Sequence, residues 1–329
     1  MTETTPAVTV VIPSRDARCW LPQSLASIGD GAEVEIIVVD DGSTDGTADF
    51  LARLAAADPR LVVLAGPQRG AAAARNAAIA AARAPLIAFL DADDRWRLDK
   101  LAVQVALHAA RPEIGFSFTD YRHRRPDGAL GGGCFAFWPR FAAHLADAQA
   151  PLVLGPAALG LLYAENVVGT STVMARTDLL RAVGGFDEAL HQAEDWDLWL
   201  RLAARAPVGC VPQALAEYRQ HRPGNLSSAG AARVAGMRVV AARHARAARA
   251  ISAASVRACR ARLAVAEAEA AQAAGARLRA AAWRLAALVL QPSKRRAREA
   301  AATILGRPAR LGALGAAFQP AARQACSLR

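Results

Sequence analysis

Three acidic groups stand out by residue type and spacing. Asp40-Asp41 precedes Gly42-Ser43, Asp91 precedes Ala92-Asp93-Asp94, and Glu194-Asp195-Trp196-Asp197 lies far downstream. An Asp-x-Asp pair suits a hard divalent cation. Mg²⁺ or Mn²⁺ takes oxygen ligands, typically one or two carboxylates completed by substrate phosphates and water. Bare carboxylates repel a diphosphate, so a metal has to bridge them, which implies a diphosphate leaving group activated by a Lewis acid. Asp41 cannot hold phosphate directly, but it can accept hydrogen bonds from a base N–H or a ribose hydroxyl. Arg75, within Ala74-Arg75-Asn76, can neutralise phosphate. Glu194-Asp195 can take a proton from an acceptor hydroxyl as general base, with Trp196 and Trp199 expected to shield the site and stack on sugar rings. The plain alternative for this last cluster is a helix N-terminus with an exposed acidic first turn, which suits Asp197 well.

Motifs of other enzyme classes are missing. No G-x-G-x-x-G follows a strand, neither lysine sits in a P-loop, none of the six histidines begins H-E-x-x-H, and no G-x-S-x-G occurs.

The elements that must position the acids follow from apolar patterning. Val8–Ile12, Val34–Val39, Leu61–Leu64 and Pro85–Leu90 read as strands, each a near-continuous apolar run of the kind buried on both faces. Helical spacing between them covers Leu21–Ile28, Thr47–Ala57 and Gly70–Arg83. Strands alternating with helices predict a parallel sheet with helices on both faces. Pro13-Ser14-Arg15-Asp16 and the first two acidic groups then fall just after strand ends, where ligands bind in open α/β sheets. Further on, Phe116–Thr119 reads as a strand, Arg122–Gly133 as a basic glycine-rich loop, Asn166–Ala175 as a strand, Thr177–Val183 as a helix, and Gln192–Ala206 as a helix.

The chain has 329 residues, 53% hydrophobic and 21% charged, enough for one large α/β domain or a domain with an extension. Its net charge of +11 is uneven: residues 1–230 hold 21 basic and 26 acidic side chains (−5), and residues 231–329 hold 19 and 3 (+16). That asymmetry argues against a uniformly basic protein that coats nucleic acid. Only Lys100 and Lys294 are lysines. An Ala/Arg-rich composition is what GC-rich coding produces, so the position of the charges is used here and not their number. The five cysteines are scattered and form no C-x-x-C pair, as expected of a reduced, intracellular chain. Met1–Pro6 lacks the pattern of a signal peptide, and Ala148–Ala164 is interrupted by Pro151, Gly155, Pro156 and Gly160, so no transmembrane helix is expected. The expected location is cytoplasmic, with peripheral attachment to the inner face of the cell membrane as an extension of that reading.

The chain resembles the inverting, GT-A-fold nucleotide-sugar glycosyltransferases of family 2. The resembling segments, in the family's order, are Val10–Ser14, Ile37–Asp45, Ala74–Asn76, Phe89–Asp94 with Trp96, Val183–Glu188, Glu194–Trp199, and Tyr218-Arg-Gln-His221 with Asn225 and Ser227. The chain departs from the family at Asp16, where Asn is common, and at Leu98, where Pro is common. The resemblance implies a GT-A catalytic domain over 1–230, Rossmann-like with a mostly parallel sheet, joined to a helical extension over 231–329. It implies metal-dependent transfer from a nucleoside-diphosphate sugar, UDP first among the bases, to a glycan or lipid-linked acceptor in polysaccharide, lipopolysaccharide or glycolipid synthesis. Pro13, Ser14 and Asp41 would line the nucleotide pocket and Arg75 would contact the donor. Asp91 would hold ribose or order the metal site. Asp93 would ligate Mn²⁺ or Mg²⁺, with Asp94 sharing and His221 a further metal or pyrophosphate contact. Asp195 would be the catalytic base with Glu194 beside it, and Thr170, Ser171, Thr172 and Trp196 would lie near sugar or acceptor. A sugar-nucleotide pyrophosphorylase would need a glycine-rich N-terminal loop, which Pro13–Asp16 is not. A non-catalytic nucleotide-sugar-binding or scaffold protein would be marked by loss of Asp93 or Asp195, and both are present.

In the basic extension, Leu278, Ala282, Leu285 and Val289 recur on one helical face beside Arg277, Trp283 and Arg284, and Lys294-Arg-Arg-Ala-Arg298 follows Pro292. Two readings stand: a helical bundle packed on the first domain with a solvated basic face, or a basic amphipathic surface lying on an anionic membrane. Sparse aromatic interleaving disfavours nucleic acid.

Overall fold

In a computed structural model, residues 5–31, 33–146, 148, 150–219 and 230–306 are described. Strands β1 (Val8–Ser14), β2 (Val34–Asp40), β3 (Leu61–Ala65) and β4 (Leu86–Phe89) alternate with helices α1 (Leu21–Ala26), α2 (Thr47–Ala57) and α3 (Ala71–Ala81). They pair in parallel in the order β3-β2-β1-β4. The central strands are apolar on both faces because α3 covers one side and Leu21 and Leu51, of α1 and α2, pack on the other. The parallel half therefore follows from the βαβ rhythm of the sequence.

Beyond β4 the sheet is mixed. Strand β5 (Arg95–Trp96) and helix α4 (Lys100–Ala110) lead to β6 (Phe116–Arg124). The short β9 (Met174–Arg176) lies antiparallel between β4 and β6, and β10 (Val208–Arg219) runs parallel to β6. Two sequence expectations are corrected here. Residues 122–133 form a hairpin, β6 turning into β7 (Leu130–Gly133), with Gly128 at φ +83° in the reversal. Residues 166–175 are mostly not strand: Thr170–Thr172 is a single 3₁₀ turn, and β8 (Leu152–Leu154) pairs with β10 instead. Helices α5 (Pro139–His144) and α6 (Ala158–Ala164) fill the space before this turn, and α7 (Thr177–Ala182) and α8 (Glu194–Ala203) follow it.

Lys100 is sealed inside. Its Nζ donates to Gln104 Oε1 at 2.6 Å and lies 4.0 Å from the Trp96 ring centroid. Burial pushes its ammonium well below the ordinary lysine range.

Helices α9 (Ala231–Ile251), α10 (Ala253–Ala273), α11 (Arg277–Leu290) and α12 (Lys294–Ile304) complete the described chain. Each break has a local cause: extended backbone at Ser252, a left-handed Gly275 at φ +75°, and Pro292 ahead of Ser293, whose Oγ accepts from Arg296 N. Of these, α9 and α10 share the core of the sheet region. Met237, Val240, Val256 and Cys259 are buried in one cluster with Leu162, Tyr163, Trp196 and Phe116, and Tyr163 Oη donates to Ala241 O at 2.7 Å.

Helices α8 and α9 meet at a close junction. A Cβ on Gly236 would sit 2.4 Å from Gln192 O, so only glycine lets α9 lie against the loop that starts α8. One turn further along, Asp197 is fully buried, which overturns the expectation of an exposed acid. Arg201 Nε donates to it at 2.7 Å, Arg243 Nη1 at 2.9 Å, and His244 Nε2 lies 2.9 Å away. Burial pushes this carboxyl up, but hydrogen bonds from His244 and Arg201 and the Arg201 and Arg243 charges outweigh it and bring the group down to about 2. Because the folded value lies below the ordinary 3.8, this carboxylate stabilises the fold above pH 4 and the contribution is lost as pH falls toward 2. Asp197→Asn removes the counter-charge of half-buried Arg201 and exposed Arg243. It is expected to cost about 1–3 kcal/mol at neutral pH, read as a lowered urea midpoint; an unchanged midpoint would refute the junction's role.

Candidate active site

The carboxyl ends of β1, β2 and β4 and the N-terminus of α8 open onto one cavity of about 1230 Å³. Pro13 and Ser14 close β1, Asp41 follows β2, Asp91–Asp94 follow β4, and Glu194-Asp195 open α8; all of these line it. The sequence clusters therefore converge as parallel-sheet topology requires.

Asp41 is buried and its carboxylate organises the loop before α3. Gln68 N donates to Oδ1 at 2.6 Å and Gly70 N to Oδ2 at 2.8 Å. A side chain at Gly66 would place its Cβ 2.6 Å from Asp41 Oδ1, so this wrapping needs glycine there. Ser14 Oγ is buried in the same wall with no hydrogen-bond partner, a donor-and-acceptor group left for a ligand or water.

Arg75, on α3, joins the two acidic sides. Its Nη2 meets Asp91 Oδ1 at 2.7 Å and its Nη1 meets Glu194 Oε1 at 3.3 Å. Burial works against its charge, and the Asp91 and Glu194 carboxylates more than restore it. The expectation that Arg75 meets donor phosphate is revised accordingly: both terminal nitrogens are committed to carboxylates, and only Nε is without a partner.

The loop after β4 divides its acids. Asp94 is 3% exposed, accepts from Ser171 Oγ at 2.6 Å and Arg219 N at 3.0 Å, and is held well above the usual carboxylate range by burial and by the Asp93 and Asp91 charges. It anchors the loop, so its expected share in metal ligation is corrected. Asp93 and Asp91 are the half-buried carboxylates of the loop. Among the described residues no group of three or more His, Cys, Asp or Glu is arranged to hold a metal alone. Asp93 with the second oxygen of Asp91 fits the other common arrangement, in which one or two carboxylates are completed by substrate phosphates. Arg219 Nε donates to Asp93 O at 3.2 Å, which brings the end of β10 to this loop; His221, Asn225 and Ser227 lie outside the described residues.

Asp195 is half-buried beside Glu194. Trp196 N donates to Oδ1 at 2.6 Å, and Thr170 Oγ1 reaches Oδ2 at 3.4 Å. Burial and the Glu194 charge push its carboxyl up to about 7, against the opposing pull of the Trp196 N–H and Arg75. A carboxyl at that value is matched to proton abstraction near neutrality. The 3₁₀ turn supports both sides: Ser171 Oγ accepts from Asp91 N at 3.0 Å, while Thr172 is fully buried with its Oγ1 on Gly169 O. All three hydroxyl residues line the cavity, and of them Thr170 touches the expected base. Trp196 and Trp199 are corrected too. Trp199 stacks among Phe89, Phe116 and Phe186 in the core. Trp196 is buried against Tyr163 with its indole N–H on Leu162 O at 2.9 Å, so neither ring offers a face to a sugar.

An aromatic wall escapes the sequence reading. Tyr121, His123 and Tyr218 pack edge to face or tilted, with centroids 5.3–6.3 Å apart, and line the cavity with Phe137 and Trp138. Both ring nitrogens of His123 are buried without partners, and burial lowers it to about 4. Tyr121-x-His123 is a period-two pair in the opposite phase to Phe116-x-Phe118, so it lies on the other face of β6 from those core rings.

Comparison with known proteins agrees with this geometry. Residues 9–131 match the family model described as glycosyl transferase family 2. The chain is 41% identical over 131 residues to the putative teichuronic acid biosynthesis glycosyltransferase TuaG of Bacillus subtilis (strain 168), covering 39% of this chain and 52% of that one. It is 32% identical over 218 residues to an uncharacterized protein of Mycobacterium tuberculosis (strain CDC 1551 / Oshkosh), covering 65% of this chain and 67% of that one. The chain thus spans about half the length of TuaG, and 33% of an uncharacterized glycosyltransferase of Rickettsia felis. Among solved structures, S. aureus TarS 1-349 superposes with a TM-score of 0.60 at 16% identity over 91% of this chain and 87% of that chain. The mannosyltransferase PcManGT from Pyrobaculum calidifontis, in complex with GDP-Man and Mn²⁺, gives 0.59 at 24% identity over 92% and 80%. These likenesses show the fold, a GT-A arrangement with a helical C-terminal region.

Proposed function

Since the chain belongs to glycosyl transferase family 2, we propose that it transfers a sugar from a nucleoside-diphosphate sugar to an acceptor hydroxyl with inversion. The observation that carries this reading is the meeting of two acidic groups in one cavity: Asp91 and Asp93 at the β4 end, and Asp195, pushed up to about 7, on α8, all three half-buried. Residues 1–230 form the catalytic unit and 231–329 the extension, whose helix α9 braces α8.

Pro13, Ser14 and Asp41 hold the nucleotide at the ends of β1 and β2. Asp93 with Asp91 would hold Mn²⁺ or Mg²⁺, which when bound supplies Lewis-acid stabilisation of the departing diphosphate. Asp195 accepts the proton of the acceptor hydroxyl, whose oxygen bonds to the anomeric carbon as the bond to the diphosphate breaks on the opposite face. Glu194 keeps Asp195 basic by its charge, and Arg75 holds Glu194 in place through their ion pair. GDP-Man and UDP-GlcNAc in the complexes of structural neighbours support a nucleotide-sugar donor, with UDP taken first. The TuaG name supports a cell-envelope polysaccharide context, with a glycan or lipid-linked acceptor.

No described helix is long and apolar enough to cross a membrane. Leu278, Leu285 and Val289 nevertheless form an exposed apolar stripe on α11, Leu278 being 90% exposed, within the +16 region. This supports peripheral attachment to an anionic membrane.

Asp195→Asn is expected to lower kcat by at least about 10³-fold while nucleotide affinity stays near wild type. In the wild type, kcat/KM is expected to rise with pH through about 7 as Asp195 loses its proton. Near-wild-type turnover in the variant removes Asp195 as base. EDTA is expected to abolish transfer and Mn²⁺ or Mg²⁺ to restore it; full activity in EDTA removes the metal role of Asp93. Full-length protein is expected to sediment with phosphatidylglycerol vesicles and not with phosphatidylcholine, and Leu278→Asp/Val289→Asp to release it. Equal sedimentation of both forms would reject the membrane surface.

A further inference from the structure

The cavity continues past Asp195 into the C-terminal helices. Five arginines and two glutamates from those helices line it, among them Arg262 of α10, Arg284 of α11, and Arg295, Arg296 and Glu299 of α12. Glu165 on the facing wall commits its carboxylate to the N–H groups of Arg140 and Phe141. The lobe therefore holds an excess of positive charge, with Arg284 buried in its wall and Arg295 exposed at its rim.

The guanidinium groups in this wall are under-bonded. Arg284 is 3% exposed and meets Glu299 through Nη1 at 3.1 Å, but its Nε and Nη2 are buried with no hydrogen-bond partner. Arg262 lies with its Cζ 4.1 Å from the Trp196 ring centroid, and its Nε and Nη2 are likewise buried and unpartnered. Native structures leave few buried donors without acceptors, and such groups call for a ligand or water. Two guanidinium groups with free N–H pairs present the fork that matches a phosphate or carboxylate. Helix α11 also carries its residues inside out for a packing role, with Arg284 buried and Leu278 and Val289 exposed. A position chosen for packing alone would hold the leucine inside. Trp196, on which Arg262 rests, follows Asp195 on α8, and Arg262, Trp196 and Asp195 all line the one cavity.

We infer that this lobe is an anion subsite that receives a phosphate or carboxylate carried by the acceptor close to its attacked hydroxyl. Arg262 and Arg284 hold the anion, and the acceptor class is an acidic or phosphorylated one. This rests on the transferase reading, which supplies the acceptor and makes Asp195 its base.

The test uses full-length protein saturated with Mn²⁺ and a nucleoside diphosphate, so that the donor pocket is filled. Glycerol 3-phosphate, glucuronate and glycerol are titrated calorimetrically. At least one anion is expected to bind and glycerol not to; which anion binds separates a phosphorylated from a carboxylated acceptor. Arg284→Gln and Arg262→Gln are each expected to weaken the anion at least about tenfold, with nucleotide affinity unchanged. Arg262→Lys keeps the charge without the fork and is expected to recover part of the binding. Arg262 stands apart from the Glu299 pair, so its variants decide the matter if Arg284→Gln misfolds. Nucleotide binding with no anion binding, or anion binding equal in wild type and both Gln variants, overturns the subsite. Failure of any nucleoside diphosphate to bind the wild type would instead count against the transferase reading.

Discussion

Acidic residues far apart in the sequence are drawn to one cavity, and carboxylates do not stay together without a counter-charge. Arg75 supplies it. From α3 it reaches Asp91 with one terminal nitrogen and Glu194 with the other, in a setting where burial amplifies each interaction. The loop after β4 and the start of α8 are thereby fixed to each other through a single side chain. The same charge restrains the rise of the Asp195 carboxyl, which burial and Glu194 drive upward. A site that must hold one carboxylate ready for a cation and another ready for a proton depends on that one guanidinium to keep the two apart in function and near in space.

The second dependence runs from the C-terminal helices to α8. Asp197 faces away from the cavity side and is gripped by Arg243 and His244 of α9, and Gly236 lets α9 press on Gln192 just before Glu194. The basic extension is therefore part of the scaffold of the acidic site. Its inward arginines and its outward leucines serve different surfaces, one lining the cavity and one facing solvent.

The parallel half of the fold was legible because strands buried on both faces write themselves as unbroken apolar runs, and the ligand-bearing turns sit at their ends. The acidic groups were legible for the same reason. Asp197 was misread because its partners lie 46 and 47 residues away, and an acid at a helix start is ordinarily solvated. Trp196 and Trp199 were misread because amphipathic rings beside an acid suit a sugar platform as well as a core, and only the packing of Phe89, Phe116 and Tyr163 decides. Asp94 was indistinguishable from Asp93 until Ser171 and Arg219 took up both its oxygens. Arg262 carries no signal in a chain whose basic residues are almost all arginine, and Arg284 reads only as a basic residue beside an apolar helical face.

The scarcity of lysine has a practical side. With Lys100 sealed beneath Trp96 and held below its ordinary range, an amine-directed reagent meets a single accessible lysine side chain among the described residues, Lys294. That residue is exposed and flanked by Ser293 and Arg295, both of which line the cavity. A fluorophore coupled there, resolved from the α-amino group by pH, needs no engineered cysteine. It would report on the rim of the arginine-lined lobe in the native chain.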